Sequence, residues 1–206
     1  MPDDSQQVAT EAAPLSALDW PVRTDRLLIR QATAADAELT WGYRRLPAVS
    51  RWLTSAPRAF EEYRDLFVLP PRLAKTLVLE RDSVVIGDLM IAVEDGWAQA
   101  ELAEQARGVQ AELGWSLDPA ATGHGYATEA VRELIRICFA ELGLRRVTAN
   151  CFADNEASWR LMERVGMRCE LHTVRDSLHR SEGWLDGLGY ALLADEWTGQ
   201  RGDQPG

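Results

Sequence analysis

The stretch that most constrains this chain runs from Asp118 to Leu142. A strand-ending Asp118-Pro119 leads into Ala120-Ala121-Thr122-Gly123-His124-Gly125-Tyr126-Ala127 and then into a long amphipathic segment. Two closely spaced glycines let the backbone turn tightly, and the helix that follows offers unpaired amide N–H groups and the positive end of its dipole to whatever lies in front of it. A phosphate or pyrophosphate suits such a loop. Gly-x-Gly also occurs as an ordinary strand-to-helix turn, so the loop alone does not decide. Spacing does exclude two phosphate loops. A dinucleotide fingerprint needs a third glycine where Thr128 stands, and a Walker loop needs Gly-Lys-Ser/Thr, which the chain lacks.

The flanks give the loop a setting. From Gln110 to Leu117 the pattern alternates, with Ala111, Leu113, Trp115 and Leu117 on one face and Glu112, Gly114 and Ser116 on the other. After the loop, Ala127, Ala130, Val131, Leu134, Cys138 and Leu142 recur at helical spacing, and Gly143 suits the helix end. Arg145–Phe152 then reads as a strand. Strand, helix and strand in that order form a βαβ unit with a ligand expected at the helix N-terminus.

Upstream, Arg26–Arg30 reads as a first strand, with Thr33 as a helix cap and Asp36 in the first turn. Helical segments carrying Trp41, Tyr43, Trp52, Phe60 and Tyr63 extend to about Leu69, interrupted by prolines. Thr76–Leu79 and Val84–Ile91 read as a hairpin around Arg81-Asp82-Ser83. Gly87 inside its second strand marks a close backbone approach or a bulge, and the adjacent Asp88 is a candidate acceptor-binding residue. Glu94–Gly108 is a polar excursion, either a short helix or a loop. Downstream, a capped helix starts at Asp154 or Asn155 and ends at Gly166, followed by strands over Arg168–Arg175 and Trp184–Leu193.

With 206 residues, 46% hydrophobic and 26% charged, the chain forms one domain with a substantial core. Residues 1–17 and 198–206 lack periodicity and read as flexible tails around a domain over 18–197. No apolar run spans a membrane and no signal peptide is evident, so a cytoplasmic protein is expected. Cys138, Cys151 and Cys169 fit buried, reduced thiols, and His124, His172 and His179 have no metal-ligand spacing, so no metal is expected. A net charge of −10 argues against nucleic acid and fits a cationic substrate such as an amine, although an acidic surface also serves solubility alone.

Three ordered motifs resemble the GNAT superfamily of N-acetyltransferases, and within it the RimJ/RimL-type branch. Thr122-Gly123-His124-Gly125-Tyr126-Ala127 aligns with that family's Gln/Arg-x-x-Gly-x-Gly/Ala loop for the acetyl-CoA pyrophosphate, with Thr122 departing from the pattern. Ala111–Leu117 resembles its fourth strand, which binds the pantetheine arm through the backbone. Asn155-Glu156-Ala157-Ser158 through Gly166-Met167 resembles Asn-x-x-Ser-x-x-x-Leu-x-Lys-x-Gly-Phe, and Glu182–Leu192 resembles the end of RimJ/RimL-type chains. The resemblance implies an α+β GNAT fold, a single domain with a mixed, mostly antiparallel sheet of six to seven strands flanked by helices. It implies acetyl-CoA as cofactor, contacted by Ser116, Leu117, Thr122, Gly123, His124, Gly125, Tyr126, Ala127, Thr128, Asn155 and Ser158. Glu112 is then the candidate base, with Asp88 beside the acceptor. Many relatives carry a Tyr acid where Met162 stands; a thioether donates no proton, so Ser158 inherits that role.

The partner so implied is a primary amine, at a peptide N-terminus or on a small molecule, and a homodimer is allowed. An α-amine of pKa about 8 is neutral in roughly one molecule in ten at pH 7, against roughly one in 2,500 for Lys. Direct attack on the thioester with help from Glu112 and Ser158 follows. An aminoglycoside or polyamine acceptor stays open. So does a non-catalytic acyl-CoA-binding module, which Thr122 and the missing Tyr favour.

Overall fold

A computed structural model describes residues 15–198. Its elements run β1 (Val22–Arg23), β2 (Leu28–Gln31), α1 (Asp36–Arg44), α2 (Pro47–Ser50), α3 (Phe60–Phe67), α4 (Pro70–Leu73), β3 (Thr76–Arg81), β4 (Val84–Glu94), β5 (Gln110–Leu117), α5 (Tyr126–Arg136), β6 (Arg146–Phe152), α6 (Glu156–Arg164), β7 (Arg168–His179) and β8 (Gly183–Leu193). The strands form one eight-stranded sheet ordered β1-β2-β3-β4-β5-β6-β8-β7. Every pairing is antiparallel except β5 with β6. The mixed α+β sheet matches the expectation, with one strand more than the six to seven foreseen. The two-residue β1 is too short to leave a periodic signal.

The main core lies where the apolar face of the sheet meets α5 and α6. Ala130, Val131, Leu134 and Ile135 of α5 pack on Leu77, Leu89, Ile91, Leu113 and Val147. Each fully buried Leu or Ile contributes about 1.5–3 kcal/mol relative to exposure. A smaller cluster of Ala37, Tyr63 and Phe67 seats α1 and α3 together. Asp82 (φ 50°) and Ser83 (φ 65°) make the tight β3–β4 turn. The register shifts between Leu79 and Glu80, and a Cβ on Gly87 would stand 2.6 Å from the Ser116 carbonyl oxygen. Bulge and close approach thus meet at the predicted glycine.

Several boundaries differ from the sequence reading. Residues 1–14 and 199–206 of the predicted tails lie outside the described residues. Leu15–Ala17, assigned to the tail by composition, form a 3₁₀ turn in which Leu15 is buried and accepts a hydrogen bond from Trp20 Nε1 at 2.7 Å. Arg26 sits in a turn before β2 rather than in a strand. Thr33 does not cap α1; instead, Asp36 Oδ2 accepts from the Thr33 N–H at 2.7 Å and Oγ1 at 2.9 Å. Residues Ile137–Glu141 widen into a π turn before Gly143 (φ +64°) ends the helix. β7 continues past Arg175 because its polar break is a bulge, held by the Arg175 N–H donating to Asp186 Oδ1 at 2.9 Å. The excursion of 94–108 contains a 3₁₀ segment over Ala100–Ala106. Cys138 is buried, with burial pushing its thiol up to about 12, but Cys151 is half-buried and Cys169 exposed, so uniform burial does not hold.

Candidate active site

The sheet opens where β5 and β6 part. Their parallel pairing covers Gln110↔Arg146, Ala111↔Val147 and Glu112↔Thr148 and then stops, while β5 stays paired with β4 as far as Gly87↔Leu117. The Asp118 N–H reaches Ile86 O on the β4 side at 2.9 Å, and the Arg145 N–H reaches Val109 O on the β6 side at 2.9 Å. Peptide groups point alternately to the two neighbours, so the main chain of Trp115 and Leu117, beyond the last β5–β6 pair, faces the gap without a strand partner. A cleft of about 1270 Å³ fills this gap and reaches both faces of the sheet.

One end of the cleft is the loop before α5. Gly123 (φ +81°) and Gly125 (φ +79°) adopt the left-handed conformation, the latter at the helix N-cap. Among the described residues, no protein acceptor takes the amides of Gly123 through Thr128; the first amide to return to the helix is Glu129, to Gly125 O at 3.0 Å. Unpaired amides at the dipole's positive end fit a diphosphate. Arg26 braces the loop, donating to His124 O at 3.0 Å and to Glu129 Oε2 at 2.7 Å, with its guanidinium 4.8 Å from the Tyr126 ring centre. This role is invisible in the sequence because it joins residues about a hundred positions apart. Thr122 Oγ1 donates to Pro119 O at 2.8 Å, which uses its only hydroxyl proton. The His124 side chain is exposed and absent from the cleft wall, stacked at a tilt near Tyr126.

The middle of the cleft is lined by Glu112, Asn155 and Ser158. Asn150 Nδ2 donates to Glu112 Oε1 at 3.0 Å, which orients the carboxylate across the opening strands. Asn155 starts α6 without a side-chain capping bond, so its amide is left to the cleft. Burial pushes the Cys151 thiol up to about 11 against an opposing hydrogen bond from Ser158, so Ser158 lies beside a neutral thiol. Met162 is fully buried in the core and contributes nothing to the wall.

Ser116 is buried opposite Asp88 in the β4–β5 register. Asp88 itself is fully engaged, accepting from the Tyr43 hydroxyl at 2.7 Å and from the Arg44 guanidinium. Burial, with the Asp88 charge beside it, pushes the Tyr43 phenol well above its ordinary value, so it remains a donor. The expectation that Asp88 is available to hold an amine therefore meets a carboxylate with both oxygens taken. Arg44, Arg72 and Lys75 line the same end of the cleft, and none was singled out from the sequence. Asn150 was also missed, because only the register of two distant strands sets it beside Glu112.

The acetyltransferase (GNAT) domain model matches residues 26–168. The uncharacterized N-acetyltransferase YnaD of Bacillus subtilis (strain 168) is 35% identical over 87 residues, a match covering 42% of this chain and 51% of the relative, so the chain spans about half its length. A GNAT-family acetyltransferase structure from Bacillus anthracis superposes with TM-score 0.71 at 27% identity, covering 85% of this chain and 99% of that one. Mycobacterium smegmatis RimJ, solved in complex with CoA-disulfide, shares the fold at TM-score 0.66 and 22% identity, covering 84% of each chain. No helix among the described residues is long and apolar enough to cross a membrane. A matched family model over most of the folded chain, on a sheet that splits between β5 and β6 in front of an unpaired phosphate-type loop, makes this protein a member of the GNAT acetyltransferase family.

Proposed function

We propose that the protein transfers an acetyl group from acetyl-CoA to a primary amine, at a peptide N-terminus or on a small molecule, in the manner of the RimJ/RimL-type branch. The observation that carries this reading is the end of β5–β6 pairing at Glu112, which leaves main-chain groups of Trp115 and Leu117 free in a cleft that Glu112 and Ser158 also line. The amides of Gly123 through Thr128 would hold the diphosphate, with Thr122 flanking it, and Asn155 and the backbone of Leu117 would flank the pantetheine arm. The chemistry supplied by acetyl-CoA is a thioester-activated acetyl group: one C–N bond forms, one C–S bond breaks, and one proton passes from amine to sulfur.

The chain's own residues supply the rest. Glu112, turned by Asn150, accepts the amine proton directly or through a water. Ser158 presents a hydroxyl to the same cleft for the departing thiolate. The cleft's two-sided wall holds both reactants in reach, which accounts for much of the acceleration.

Thiol release from acetyl-CoA, followed across peptides, polyamines and aminoglycosides, tests the reading. Acceptor-dependent release is expected, and cofactor binding without release would support a non-catalytic module instead. Glu112→Gln should lower turnover about a hundredfold or more, and Ser158→Ala by a smaller factor, each lowering turnover more than cofactor affinity. Full rate in both variants would overturn these roles.

A further inference from the structure

The overall charge of −10 points to a cationic acceptor, yet the acceptor end of the cleft has the opposite character. Asp88 is neutralised by Arg44 and capped by the Tyr43 hydroxyl. Glu112 is the remaining carboxylate on that wall, and it is already oriented by Asn150. Against it stand Arg72 and Lys75, which have no ion-pair partner among the described residues.

Arg72 is held in a defined place. Its guanidinium carbon lies 5.6 Å from the Tyr63 ring centre and 5.8 Å from that of Phe67, and its carbonyl accepts from Thr76 Oγ1 at 2.7 Å. The two aromatic rings pack beside the guanidinium, and among the described residues its N–H fork has no protein acceptor. Burial, then the nearby Arg44 charge, lowers its pKa below the usual guanidinium value, a cost that an anion in the cleft would remove. Burying a half-desolvated cation without a partner is expensive, and a carboxylate is the group whose geometry matches the fork bidentately.

Building on the acetyltransferase reading, we propose that the acceptor is an amine that also carries a carboxylate, with the amine at Glu112 and the carboxylate on Arg72, assisted by Lys75. Such a group belongs either to a free α-amino acid or to a peptide whose first residues are acidic; the two sources share one recognition chemistry. A polyamine, with further positive charges and no anion, meets Arg72 and Lys75 unfavourably.

Equilibrium binding to the CoA-loaded full chain decides this without depending on turnover. The probes are two acid/amide pairs, free L-alanine with alaninamide and the tetrapeptide amides Ala-Asp-Gly-Gly and Ala-Asn-Gly-Gly, together with spermidine. The expected result is about tenfold or more tighter binding of the acid in one pair, the pair identifying the source, and loss of that preference in Arg72→Met with amide binding retained. Lys75→Met should reduce the preference by a smaller factor. Equal affinity within both pairs, or tighter binding of spermidine, would overturn the proposal. Thiol release is scored separately on the same panel. Its absence throughout would sink the transferase reading, and the binding comparison would still decide the charge preference.

Discussion

On one side of the cleft, the amides of Gly123 through Thr128 come from consecutive residues and offer main-chain donors that depend on no side chain. On the other, Arg44, Arg72, Asp88, Glu112 and Asn150 are delivered by α1, α4, β4, β5 and β6, and Arg44 with Asp88 and Glu112 with Asn150 each depend on a partner from another element. The first half is a local device with a generic ligand. The second is a tertiary device, and its charge is set by which ion pairs are satisfied rather than by composition. One half can therefore be damaged with little effect on the other, and the variants below test that separation.

The largest expected effect is on the acceptor side. Arg44 and Asp88 side chains are 16% and 10% exposed, so Asp88→Ala leaves a buried guanidinium and the Tyr43 hydroxyl without their partner. Denaturant unfolding should report a loss of about 3–5 kcal/mol, and coenzyme A affinity of the folded fraction should hold. An equal fall in cofactor affinity would break the comparison.

Next comes the anchor of α1. Burial pulls the Asp36 pKa up, but the Arg30 hydrogen bond, with those from Thr33, outweighs it and leaves the carboxyl below its ordinary value. With the folded pKa below the unfolded value of about 3.9, this stabilisation is full above about pH 5 and is lost as pH falls through the folded pKa. Asp36→Asn should cost about 1–3 kcal/mol at neutral pH and flatten the acid limb of the stability profile. A parallel acid limb in both proteins would assign the transition to other carboxylates.

The cofactor half should respond differently. Gly125→Val forces a β-branched residue into φ +79°, at a cost of about 1–2 kcal/mol. Calorimetry should show coenzyme A affinity falling about tenfold, with the Asp88–Arg44 pair unaffected. The smallest effect is a gain: Thr122→Arg places a cation beside the exposed loop, and affinity should rise about two- to fivefold and lose that increment in high salt. A gain that persists in high salt would place its origin outside charge attraction.

The chain's residues fixed, without reference to anything distant, the alternation of β5, the amphipathic α5, the positive-φ glycines before it and the helix beginning at Asn155. Periodicity and backbone sterics act over a few residues, so these elements and the loop they frame are written in consecutive positions. Other features waited on the tertiary structure: the bulge that prolongs β7, the Arg26 brace, the Asn150 contact to Glu112, and the placing of Arg72 and Lys75 in the cleft wall despite a net −10. Each depends on strand register or on which carboxylate a given arginine reaches. Long-range pairing settles those choices, because a buried charge is stable only beside the partner that the assembled sheet brings to it.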